Sequence, residues 1–90
     1  MPSYLVESYL ADSPAAVEEA RNRARSLDDD VGSIRYVRTT FLPGDETILH
    51  VFEAPSPEAL RDAARNAALQ YERIVEAVEG TVEPTRRDGR

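Results

Sequence analysis

Ninety residues allow one domain near the lower end of the usual size range. Seventeen acidic side chains against eleven basic ones leave a net charge of −6, which counts against partners built on phosphate or anionic lipid. The absence of cysteine excludes disulfides, thiolate metal cages and thiol catalysis.

The chain opens on Tyr4-Leu5-Val6-Glu7-Ser8-Tyr9-Leu10, whose aromatic and aliphatic content reads as a strand. No basic region followed by an apolar one precedes it, and no apolar run approaches the roughly 20 residues of a membrane span. The expectation is a soluble cytoplasmic protein. Ser13 and Pro14 then supply an N-cap and a first helical residue. Val17, Ala20, Ala24 and Leu27 recur at helical spacing as the inward stripe. On the wet side Glu18 and Glu19 precede Arg21 and Arg23, which suits both ion pairing and the helix dipole. Asp28, Asp29 and Asp30 stop the helix and Gly32 turns the chain.

A second strand is expected over residues 33–41. Leu42-Pro43-Gly44-Asp45 suits a type II turn, in which Gly44 would take the positive φ. A third strand follows over residues 46–54. Ser56 and Pro57 repeat the cap-and-proline device and open a helix to about Ala67, with Leu60, Ala63, Ala64 and Ala67 inward. A short strand over residues 73–78 completes the domain, assigned to residues 1–83. Residues 84–90 are polar, lack periodicity and read as a flexible tail. The order β-α-β-β-α-β is the ferredoxin-like arrangement, an α+β fold with a four-stranded antiparallel sheet and two helices on one face.

Two helices cover one face of such a sheet, so the other face needs an explanation. Side chains alternate along each strand. Giving the smaller aliphatic sets to the alanine-rich helices puts Val6, Ser8, Val37, Thr39, Leu49 and Val51 beneath them. The uncovered face then carries Leu5, Tyr9, Ile34, Tyr36, Ile48 and Phe52, with Glu7, Arg38 and His50 among them. An apolar patch of that kind marks an interface. The expectation is a homodimer joined sheet to sheet, a dimeric α+β barrel-like assembly.

His50 is the only histidine, and with cysteine absent it is the natural group for proton chemistry near neutral pH or for a soft metal. As a catalytic set His50 would act as general base, Arg38 would hold an anionic oxygen, and Glu7 would complete the charge balance. Tyr9, Tyr36 and Phe52 would line the ligand. The plainer alternative is a structural Glu7–Arg38 ion pair with His50 hydrogen-bonded in the interface. The acidic run at residues 28–30 lacks the pattern of a calcium loop. The sheet lacks the basic-glycine-aromatic signature of an RNA binder. No nucleophile elbow, P-loop or dinucleotide fingerprint occurs.

Pro2-Ser3-Tyr4-Leu5-Val6-Glu7, Ile34-Arg35-Tyr36-Val37-Arg38, and the stretch from Ile48 to Arg73 with Ala54-Pro55-Ser56-Pro57-Glu58-Ala59 resemble a family of small bacterial domains of unknown function. These are known as nickel-binding, ferredoxin-like proteins. The resemblance runs to about Val78 and implies a dimer and a nickel site. Members that look competent for metal tend to carry histidine at the position of Arg38, cysteine at that of His50, and histidine near Ala63. Here His50 alone could ligate. A guanidinium has no lone pair and repels a cation, so weak or absent nickel binding is expected and no cofactor is assigned. The function expected is a small dimeric binding protein without nucleic-acid or membrane partners. The alternative is a cofactor-independent cyclase, isomerase or monooxygenase working on a small molecule at the His50, Arg38 and Glu7 face.

Overall fold

Both helices begin where serine precedes proline. In the computed structural model, which describes residues 1–28 and 33–78, the Ser13 hydroxyl accepts from the Ala16 amide at 3.3 Å and the Ser56 hydroxyl from Ala59 at 3.1 Å. Each cap satisfies an amide that the first turn would otherwise orphan, an effect worth ~1 kcal/mol. The elements are β1 (Ser3–Tyr9), α1 (Pro14–Arg25), β2 (Arg35–Leu42), β3 (Thr47–Glu53), α2 (Pro57–Asn66) and β4 (Arg73–Ala77). They form one antiparallel sheet in the order β2-β3-β1-β4, which is the ferredoxin-like topology expected from the sequence. The last strand ends at Ala77, and the assigned tail, like Gly32 and two of the three aspartates, lies outside the described residues.

The stripe of α1 buries Ala24, and Leu27 beyond its end is buried too; α2 buries Leu60 and Ala64. These side chains share one cluster with Tyr4, Val6, Ile34 and Phe52, which identifies the covered face. In β1 the covered residues are Tyr4, Val6 and Ser8, and in register they stand opposite Phe52, His50 and Ile48. The expected assignment of β3 is therefore inverted. Ile48, His50 and Phe52 face the helices, while Leu49 and Val51 face away. The reason is volume: helices lined by alanine leave space that the bulkier Phe52 and Ile48 occupy.

Strand β2 departs from simple alternation. Tyr36 pairs with Phe52, but Arg38 pairs with Val51, and a bulge between them absorbs one residue. Tyr36 and Thr39 consequently share the covered face, Arg38 lies on the open one, and Val37 is exposed. Ile34 and Tyr36, expected in the open, pack into the core. At the β2–β3 hairpin the left-handed residue is Glu46, with φ of 50°, and the Asp45 and Glu46 amides bond back to Leu42 and Pro43. The turn is thus not the expected type II with Gly44 at positive φ.

Helix α2 ends in a Schellman motif. The Leu69 amide reaches the Ala64 carbonyl at 2.9 Å and the Ala68 amide reaches Arg65 at 3.1 Å, with Ala68 itself left-handed at φ 58°. This reversal drives Leu69 into the core and brings residues 68–70 up beside α1. Among the described residues no helix is long and apolar enough to cross a membrane.

Candidate functional site

The expected trio does not assemble. Glu7 and Arg38 stand on the open face, and His50 stands on the covered one, with no accessible surface. Glu7 pairs instead with Arg73, Oε1 to Nε at 2.5 Å, across β1 and β4. This contact raises the Arg73 pKa further above its ordinary value. Arg38 has no ionic partner among the described residues, and it lies one strand and a whole sheet thickness from the imidazole.

His50 instead belongs to a buried polar chain. Its Nδ1 lies 2.8 Å from the Thr39 hydroxyl, and that hydroxyl lies 2.7 Å from the Tyr36 phenol. The bulge makes this possible, because it turns Tyr36 and Thr39 to the same side. The Tyr36 ring meets Phe52 edge to face with centroids 5.8 Å apart, and His50 lies tilted against the same phenyl at 6.4 Å. Phe52 is thus a packing floor under the chain, whereas it was expected as an exposed ligand contact. At the outer end, the Arg21 guanidinium sits by Glu18 and beside the Tyr36 phenol, and both neighbours raise its pKa.

The other imidazole nitrogen has no partner. Nε2 of His50 is buried and unbonded among the described residues, on the ring edge away from Thr39. The ring lines a cavity of about 240 Å³ bounded by α1, the end of β1, β3 and the segment after α2. Its walls are mixed: Leu10, Ala16, Ala20, Ile48 and Leu69 give apolar surface, and Ser8 and Gln70 help make the polar share about as large. Glu19 and Arg23 also line it, paired to one another at 2.8 Å, and Arg23 also donates to the Ala68 carbonyl at 3.2 Å. Tyr9 contributes at this end although its side chain is mostly exposed. Burial pushes the His50 pKa from 6.5 down to about 4, so the imidazole is neutral at pH 7.

Of the expected site residues the structure brings together His50, Tyr36 and Phe52, and leaves Glu7 and Arg38 on the opposite face. Thr39 links two of them; alternation gives it to the covered side but assigns it no role. Ala20, expected on the inward stripe, and Ala16, four residues before it on α1 and not singled out, also line the cavity, and small residues at that spacing are the signal that a gap lies beneath them.

A small ferredoxin-like domain with a histidine-lined cavity under its first helix is the class that fold and site define. The chain belongs to the family described as nickel responsive protein SCO4226-like, whose model matches residues 4–77. The crystal structure of SCO4226 from Streptomyces coelicolor A3(2) has the same fold, with a TM-score of 0.70 at 16% identity over 88% of this chain and 99% of that one. No curated protein matches.

The donor set here does not suit a nickel centre within one chain. Among the described residues no three His, Cys, Asp or Glu side chains come together. Nε2 of His50 is a single nitrogen ligand, and the nearest carboxylate on the cavity, Glu19, is already engaged by Arg23.

Proposed function

We propose that this chain is a small-molecule-binding domain whose ligand occupies the space between α1 and the sheet against His50, and which works as a homodimer joined through its open face. The observation that carries the ligand reading is the unpartnered Nε2. A buried polar nitrogen left unbonded costs ~1–3 kcal/mol, and a bound group that reaches it, after the small opening that a ring with no accessible surface requires, recovers that loss. The cavity has the right scale, since an apolar cavity of roughly 150 Å³ holds benzene.

The dimer reading rests on the open face. Val51, Leu5 and Val75 form one row across three strands, with Leu49 in the next row beside Glu7. Around them stand Arg38, the Arg35–Glu53 pair at 3.8 Å and the Glu7–Arg73 pair. Charges of both signs on one patch favour a two-fold partner, because each copy then offers what the other needs. Tight nickel binding is not part of this reading: one imidazole per chain, its other nitrogen already engaged, is too few ligands.

The test uses the intact chain and cyclohexanone and phenol as ring-sized probes. Saturable shifts of the Ala20, Ile48 and Leu69 amide resonances, lost when Ala16→Leu fills the space, are expected. A folded protein in which neither probe moves those resonances overturns the ligand reading. Calorimetry with nickel chloride should give no stoichiometric heat; tight binding abolished by His50→Ala would restore a metal role.

A further inference from the structure

The polar chain that ends at His50 has a direction, and that direction chooses the ligand. Thr39 owns a single hydroxyl proton and sits between two groups that could each receive it. If Thr39 donates to Tyr36, the phenol must send its own proton elsewhere and His50 must carry hydrogen on Nδ1. If Tyr36 donates to Thr39, the Thr39 proton goes to Nδ1, which then accepts, and the hydrogen of the neutral ring sits on Nε2. Among the described residues Thr39 is the hydrogen-bond partner of the phenol, so the phenol's own proton goes there. The Arg21 guanidinium, which offers only donors and pairs with Glu18, cannot take that proton and favours the phenol hydrogen turned inward, toward Thr39.

Resting on the ligand reading above, we infer that His50 is held as the Nε2–H tautomer and that the cavity selects a small uncharged ring compound carrying a hydrogen-bond acceptor, such as a ketone or related carbonyl. The unmet group is then an N–H, the kind of buried orphan that native proteins tolerate least. Ile48, Leu69, Ala16 and Ala20 give one apolar side for the ring, while Ser8 and Gln70 leave the rest of the wall polar. An anion is disfavoured, because one neutral donor does not repay its desolvation and Arg23 is already paired with Glu19. A cation is disfavoured as well, since a protonated Nε2 offers it no lone pair. Burial keeps the imidazole neutral through the physiological range, so this single N–H persists there.

The experiment is a long-range ¹H–¹⁵N correlation spectrum of the histidine-labelled full chain, followed by titration with cyclohexanone and with its isostere methylenecyclohexane. The expected spectrum shows a pyrrole-type Nε2 and a pyridine-type Nδ1. Cyclohexanone should shift Nε2 and bind about tenfold tighter than the alkene, the margin of one hydrogen bond. Tyr36→Phe, which removes the outer donor while keeping the ring against Phe52, should raise the Nδ1–H population and narrow that margin. A pyridine-type Nε2 in the wild-type protein, or equal affinity for the two probes, overturns the inference while leaving the cavity a ligand site. If neither probe binds, the ligand reading falls with it.

Discussion

Strand β3 shows two ways of treating polar groups on the two faces of one sheet. Under the helices it sets His50 between Ile48 and Phe52, and the imidazole is tied through Thr39 to Tyr36. On the open side it sets Leu49 and Val51 beside Glu53, and the ionic pairs there, Arg35–Glu53 and Glu7–Arg73, keep at least one partner in water. A buried polar group must find a specific partner or a ligand, because water cannot replace one. An exposed pair loses little when broken, since water solvates each half. The contrast teaches that the residues with chemical leverage are not those bearing formal charge. They are the neutral ones enclosed between α1 and the sheet.

Removing the phenyl floor is the severest way to test this. Phe52→Ala should destabilise the fold by ~3–5 kcal/mol, measured by urea unfolding, because the side chain is fully buried and supports both Tyr36 and His50. The pH dependence of stability comes next. The folded-state pKa of His50 lies near 4 and the ordinary value is 6.5, so between them the unfolded chain binds a proton that the native chain refuses. Stability therefore falls as pH drops from 6.5 toward 4, by up to about 3 kcal/mol at ~1.4 kcal/mol per unit. Since carboxylates titrate in the same window, the reading is the difference between wild type and His50→Gln. Parallel curves would mean that the imidazole is not desolvated.

Thr39→Val should cost ~1–3 kcal/mol in denaturant midpoint experiments, because it orphans Nδ1 and the phenol together. A loss no larger than that of Thr40→Val on the open face would erase the distinction between the faces. On that open side, Leu5→Glu should convert the proposed dimer to monomer by sedimentation velocity with little change in far-ultraviolet dichroism. An unchanged sedimentation coefficient that already corresponds to one chain would remove the dimer. The smallest effect is expected for Arg73→Gln, which should leave the thermal midpoint nearly unchanged despite breaking the short Glu7 contact.

Much of the architecture was legible residue by residue. Ser13-Pro14 and Ser56-Pro57 mark both helix starts because a hydroxyl cap and a preset φ act locally. Element order followed from the change between a period of two and one of 3.6. The site was only half legible. His50 stood out by its uniqueness, and Tyr36 and Phe52 do lie with it. Glu7 and Arg38 looked like its partners because strand alternation groups residues into sets without saying which set the helices cover.

That choice belongs to volume. Alternation along β3 separates Ile48, His50 and Phe52 from Leu49 and Val51 in any fold, because the pleat does so. Whether the bulky set lies inside depends on how much room Ala20, Ala24, Ala63 and Ala64 leave under two helices, which no local pattern reports. The bulge after Tyr36 is of the same kind: it arises from pairing with β3, moves Thr39 onto the side of Tyr36, and so creates the chain that ends at His50. Local chemistry made the strands and helices of this protein; long-range packing put its one imidazole in the dark and left half of its hydrogen-bonding capacity unspent.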